Sequence, residues 1–253
     1  VTLRRYETAR GHWYKLDGVK VDGVTTLIGQ GLPKPAMPYW AARCVAEYVA
    51  DNLDQVVAMA DMGRASLVAA LKEVPWAQRD AAAVRGTEVH TLAERLIHGE
   101  EVEVPERLAG HVEAYVRFLD EWKPEPIIVE APVGSRRWRY AGTVDMVVRL
   151  PDGRRVIADI KTTSSGIWPE TAYQLAAYRF AEFYVDAAGQ EQPMPQVDAG
   201  YAIWVRADGY DVIPVECGEH VFKAFLHIAW VARAARDAKA LIGEAIYPND
   251  HQL

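Results

Sequence analysis

Three short runs carry residues that could do chemistry together: Gly142-Thr-Val-Asp145, Asp159-Ile-Lys161 and Gln174-Leu-Ala-Ala-Tyr178. Two carboxylates and an ammonium can hold a cation and an anion side by side, provided that local structure brings them together. The first two runs flank Leu150-Pro151-Asp152-Gly153-Arg154, which reads as a turn. Pro presets φ, and Gly takes the left-handed position of a three-residue loop. That loop pairs Leu150 with Arg154. Counting outward, Val148 faces Val156, Met146 faces Ala158 and Val144 faces Ile160, a wholly apolar face. On the other face Val147 meets Ile157, Asp145 meets Asp159 and Thr143 meets Lys161. A one-residue slip would mix the two faces, so the pattern supports this register. Opposed residues on one face have Cβ atoms about 5 Å apart, and like charges there repel. A hard divalent cation with oxygen ligands is the natural mediator. Lys161 sits at the edge of that site. The alternative is a solvated hairpin face that happens to carry acids.

The elements around the hairpin supply further candidates. Gln174 and Tyr178 are four apart on a helix expected over 169–186, so they share one face. Gln donates and accepts, and Tyr can donate to a phosphate oxygen. The alternative is Tyr in the core and Gln in solvent. A helix over 86–98 has Val89, Leu92, Ala93, Leu96 and Ile97 at helical spacing and Gly99 as a stop. His90 lies beside that stripe with Glu94 one turn on. It is either a satisfied buried histidine or, if the helix packs beside the hairpin, a metal ligand. Glu130 is either a further acid at the site or an exposed edge residue. The densest basic cluster is Arg136-Arg137-Trp138-Arg139-Tyr140. Its arginines could meet phosphates while the aromatics stack on bases; the alternative is a solvated hairpin tip with a packed Trp.

Residues 1–30 read as short strands and turns. Helices are expected near 38–52, 53–61, 64–73, 75–84 and 105–122, with breaks at Asp61-Met-Gly63 and Pro75. Strands follow at 126–133, 138–150 and 154–161. A loop over 187–197, strands at 199–206 and 210–216, and a terminal helix over 218–244 complete the chain. The order argues against an alternating βαβ series. No Gly-x-x-x-x-Gly-Lys-Ser/Thr or Gly-x-Gly-x-x-Gly run occurs, which argues against an NTPase or a nicotinamide enzyme.

With 253 residues, half of them apolar, the chain can bury a sizeable core. No apolar run approaches the roughly 20 residues that span a bilayer. The N-terminal residues lack an apolar signal core, so a cytoplasmic protein without a membrane partner is expected. The net charge of −7 argues against a protein that coats nucleic acid, but not against an enzyme that cleaves it. The only cysteines, Cys44 and Cys217, are far apart, as expected of reduced thiols.

Taken in order, Arg85-Gly-Thr-Glu-Val-His90, Gly142-Thr-Val-Asp145, Ala158-Asp-Ile-Lys161-Thr-Thr and Gln174-x-x-x-Tyr178 resemble the PD-(D/E)XK nuclease superfamily. The resemblance is greatest to its RecB-type branch of phage exonucleases and CRISPR-associated nucleases, and covers about residues 85–185. It implies an α/β fold with a restriction-endonuclease-like core, a central mixed sheet flanked by helices. An N-terminal region over 1–84 would pack on a nuclease core over 85–253. His90, Asp145, Asp159 and the carbonyl of Ile160 would bind Mg²⁺ or Mn²⁺. Asp145, Asp159 and Lys161 would be catalytic, with Lys161 positioning or deprotonating the attacking water. Gln174 and Tyr178 would hold the DNA strand. Two cysteines cannot supply the four that some relatives use for an iron–sulfur cluster, so none is expected. The implied activity is metal-dependent DNA exonuclease action in phage or bacterial recombination, repair or replication, with a single-strand annealing or recombination partner. The alternatives are a structure-specific endonuclease and a non-catalytic DNA-binding scaffold.

Overall fold

A computed structural model describes residues 3–8 and 11–245. The chain opens with an antiparallel ribbon of β1 (Leu3–Thr8), β2 (Gly11–Leu16) and β3 (Val19–Gly23). Four helices follow: α1 (Val24–Gly31), α2 (Ala36–Asp51), α3 (Leu53–Asp61) and the long α4 (Arg64–Ile97). Then come α5 (Ala109–Trp122), β4 (Glu125–Ser135), β5 (Tyr140–Arg149), β6 (Arg155–Lys161) and α6 (Glu170–Arg179). The last elements are β7 (Phe183–Val185), β8 (Glu191–Pro193), β9 (Ala199–Arg206), β10 (Gly209–Val215) and α7 (Glu219–Asp237).

Several expected boundaries move. Val24–Gly31 is a helix rather than strand and turn, because Val24, Leu27 and Ile28 form a buried face at helical spacing. Pro75 does not break α4, which runs through it and past the expected 84/85 boundary. Proline removes one backbone donor, and a helix this long keeps its other hydrogen bonds on both sides. The helix carrying Gln174 stops at Arg179 instead of 186. Phe183-Tyr-Val185 leaves it to pair with β4 and β8, as aromatic and β-branched residues favour. The loop expected over 187–197 contains β8, and α7 ends at Asp237 rather than 244.

The sheet is mixed, as an α/β restriction-endonuclease-like core requires: β3 pairs β5 and β6 pairs β9 in parallel, and the remaining pairs are antiparallel. Helices α1, α6 and α7 cover one face, where Val24, Leu27, Leu175, Phe222 and Phe225 meet Val147 and Ile157. The C-terminal part of α4 and all of α5 cover the other face, where Ala93, Tyr115 and Phe118 meet Met146, Val148 and Ile160. The ribbon adds a third cluster, Leu3, Tyr14, Leu16 and Val21 against Ala141 and Phe183.

The turn has the expected chemistry. Gly153 has φ 89, and Leu150 N–H donates to Arg154 O at 2.9 Å. The register is also the expected one, with Val148 opposite Val156 and Met146 opposite Ala158. The ladder stops at Met146 and Ala158, however, so Asp145 and Asp159 are not a ladder pair. Along that edge of β5, Tyr140 and Ala141 pair with β3, and Met146–Arg149 pair with β6. Residues 142–145 lie in the opening between β3 and β6.

Candidate active site

The opening on β5 is where the chemistry-bearing side chains converge. Strict alternation puts Val144 on the face of Met146 and Val148. Instead Val144 packs in the cluster of Val147, beneath α6 and α7. Across the β4–β5 ladder, Ile128 and Ala131 likewise share that cluster. The alternation therefore breaks at Glu130 and Asp145, which face each other between paired neighbours. Glu130 has φ 44, a left-handed conformation uncommon for a side chain other than Gly, Asn or Asp. The break brings both carboxylates to the His90 side, on α4. Thr143, expected opposite Lys161, instead bonds Tyr14 Oη at 2.9 Å and accepts from Arg5 Nη1 at 3.3 Å. The reason is the same departure of β6 from β5.

His90 reaches the opening because α4 packs on that face through Ala93 and is held against Val112 of α5 through Val89. Its Nε2 donates to the carbonyl of Ile160 at 2.9 Å. Its Nδ1 lies 3.4 Å from both Glu130 Oε1 and Asp145 Oδ2. Burial disfavours the imidazolium, but the charges of Asp145, Glu130 and Asp159 outweigh it and lift the His90 pKa to about 9. Asp145 is pushed up to about 7, first by burial and then by Asp159 and Glu130, against the pull of His90. The backbone N–H of Ile160 donates to Asp145 Oδ2 at 2.7 Å.

Ligand atoms of His90, Glu130 and Asp145 all lie within 4.8 Å of one another. Opposite oxygen ligands of one hard divalent ion are about 4–5 Å apart, so this donor set fits such an ion. The set differs from the expected one. Glu130, left open by the sequence, joins His90 and Asp145, while Asp159 turns toward α6. Nothing local to Glu130 signals this, because its position depends on the left-handed kink.

Asp159 is buried on the face of α6. Gln174 Nε2 donates to its Oδ1 at 2.7 Å, and the Lys161 ammonium lies 2.6 Å from its Oδ2. Lys161 also donates to Gln174 Oε1 at 3.2 Å. Burial lowers the Lys161 pKa, but Asp159 and Asp145 raise it more, so the net shift is upward and the ammonium is retained. Tyr178 is buried, with its hydroxyl 3.5 Å from Gln174 Nε2. Its ring fills the space above Gly142, where any Cβ would collide with it. One turn of α6 thus supplies both the hydrogen bond to Asp159 and the packing that holds it.

The basic cluster stands apart from this centre, at the turn between β4 and β5. Arg136 is held by Asp17 and Glu191 and lies over the Phe183 ring, 4.4 Å from its centroid. That makes it a brace between the ribbon, the turn and β8 rather than an open phosphate contact. Arg137 lies over Trp138, and the carbonyl of Arg139 accepts from Arg233. Cys44 and Cys217 are both buried thiols.

A model of the PD-(D/E)XK nuclease superfamily matches residues 64–241, from the start of α4 to beyond α7. The chain belongs to this superfamily. No curated protein gives a significant match. A solved structure titled "Crystal structure of SSO0001" is 15% identical, with a TM-score of 0.28 over 56% of this chain and 63% of that one. This PD-(D/E)XK chain therefore spans less than two thirds of that relative. No helix among its described residues is long and apolar enough to cross a membrane.

Proposed function

We propose that this superfamily member is a divalent-metal-dependent deoxyribonuclease, acting as an exonuclease of the RecB-like kind. The observation that carries the reading is the convergence of His90, Glu130 and Asp145 beside the Asp159–Lys161–Gln174 network at one opening of the sheet. His90, Glu130 and Asp145 would hold Mg²⁺ or Mn²⁺, with Asp159 and the Ile160 carbonyl beside them. The imidazole gives up its proton to do so. When bound, the ion supplies acidified water and neutralises charge on the phosphodiester.

The chain's own residues do the rest. Asp145 is fixed by the Ile160 amide, so its carboxylate is preorganised. Lys161 keeps its proton and donates toward a phosphate oxygen, where a fixed positive charge stabilises the developing negative charge. Asp159 orients that ammonium, and Gln174 holds both. Tyr178 packs Gln174 in place. Arg137 and Arg139 would contribute to the approach of DNA more than Arg136, whose guanidinium is braced. The reading extends to phage or bacterial DNA recombination or repair in the cytoplasm, alongside an annealing or recombination partner, with residues 1–84 packed on the nuclease core as part of one compact unit.

Degradation of end-labelled linear single- and double-stranded DNA, beside a closed circle, tests the proposal with Mg²⁺, Mn²⁺ or EDTA and Lys161→Ala as control. Metal-dependent loss of linear DNA only, absent in the variant, is expected. Cutting of the circle would replace exonuclease by endonuclease action, and metal-independent binding without cleavage would favour the scaffold.

A further inference from the structure

The outer face of the N-terminal ribbon carries a row of cations that the site chemistry does not use. The register places Arg4 opposite Lys15, and Lys15 opposite Lys20, across β1, β2 and β3. Directly paired residues point to the same side of a sheet, so all three share one face. Tyr6 and Trp13, also paired, belong to that face and stack with ring centroids 4.3 Å apart and planes 10° apart. Lys20 lies 5.6 Å from the centroid of Trp13. Leu3, Tyr14, Leu16 and Val21 take the opposite, buried face.

Like charges directly opposed across strands destabilise a sheet unless an anion meets them. The acids of these strands and turns are engaged elsewhere: Glu7 with Arg5, Asp17 with Arg136, and Asp22 with Arg233 and Arg236. Among the described residues, no ion pair neutralises Arg4, Lys15 or Lys20. Strands lie about 4.8 Å apart, so the row spans about 10 Å, the scale of a few backbone phosphates. The inner face of the same ribbon reaches the candidate site through Tyr14 and Arg5, which bond Thr143 two residues from Asp145.

We propose that this face holds a segment of single-stranded DNA, with Arg4, Lys15 and Lys20 on its phosphates and the Tyr6–Trp13 pair against its bases. The choice of DNA rests on the nuclease reading above. The choice of a single strand rests on the aromatic pair, since duplex bases are stacked inside and cannot use it.

Anisotropy of a labelled oligothymidylate and of a blunt duplex of equal length, titrated with the full chain in EDTA across a salt series, tests this. The double variant Lys15→Gln/Lys20→Gln keeps the aliphatic stems. It should bind the single strand about tenfold more weakly and flatten the salt slope by about 1.4, at ~0.7 per lost contact. Trp13→Ala should lose about tenfold with the slope unchanged; if it unfolds, the glutamine variant carries the test alone. Wild-type affinity and slope in that variant, at an unchanged Tm, would overturn the proposal. Tighter binding of the duplex would overturn the single-strand assignment. Chelation removes cleavage from this experiment, so the nuclease reading stands or falls separately on metal- and Lys161-dependent degradation of linear DNA.

Discussion

Asp145 Oδ2 accepts the backbone N–H of Ile160 at 2.7 Å, just beyond the point where the β5–β6 ladder stops. A side-chain carboxylate thus takes over an amide donor as the two strands part. The contact aims the Ile160 carbonyl at His90 Nε2 and leaves Asp145 Oδ2 beside His90 Nδ1. The opening and the acid that lines it are therefore consequences of one substitution of partners.

Removing the ammonium should remove the activity and also cost some stability, because the buried Asp159 carboxylate loses its ion partner. Lys161→Ala is expected to lower the rate of DNA cleavage by about 10²–10³-fold, the usual loss of one electrostatic stabiliser. Single-turnover cleavage with Mn²⁺ measures it; a wild-type rate would end the assignment of Lys161.

Asp159 calls for a different variant. It is buried and ion-paired, so Asp159→Ala strands the Lys161 charge and should cost about 3 kcal/mol of stability as well as activity. Asp159→Asn keeps the shape and should lose activity with a smaller fall in Tm. Urea unfolding of both, beside cleavage assays, separates folding from chemistry. Equal stability of the two variants would contradict the buried network.

The pH dependence has a definite sign. Asp145 rises from 3.8 to about 7 and His90 from 6.5 to about 9. A raised folded-state pKa contributes stability present below the unfolded value and lost as pH climbs through the folded one. The chelated protein should therefore lose stability from about pH 4 to about pH 9 as these protons leave. Mn²⁺ competes with the same protons, so its stabilising effect should grow over that window. Melting with EDTA and with Mn²⁺ across pH reads this directly. A metal-induced shift independent of pH would exclude His90 and Asp145 as ligands.

Glu130→Gln should weaken Mn²⁺ affinity by about 10–100-fold while leaving metal-free melting near wild type, because the amide keeps the shape of the partly buried Glu130 side chain. Calorimetric titration with Mn²⁺ is the check, and unchanged affinity would remove Glu130 from the donor set.

Gly142→Ala should destabilise by about 1–3 kcal/mol, because its methyl group overlaps the buried Tyr178 ring. Tyr178→Phe keeps the ring and should lower activity only severalfold, through looser placement of Gln174. Melting temperatures and cleavage rates of the pair decide it. A fully active Gly142→Ala protein with wild-type Tm would mean that Tyr178 does not pack against β5.

The sequence by itself determined the turn at Pro151–Gly153, the register it imposes, the superfamily motifs and the helix that sets Gln174 beside Tyr178. These are local: they follow from residue types, a two-residue or 3.6-residue period, and turn chemistry. Only the tertiary structure decided which acids meet. Alternation predicted Asp145 against Asp159, but β6 parts from β5 beyond Ala158 while its other edge stays paired with β9 through Lys161, and the left-handed Glu130 turns two carboxylates toward α4. That outcome depends on which strand edge and which helix arrive from far along the chain. The same holds for Arg136, which reads as a phosphate contact until Asp17 and Glu191 are brought to it. Long-range pairing carries no periodic signature in the residues that undergo it, so it became visible only once the strands and helices were packed.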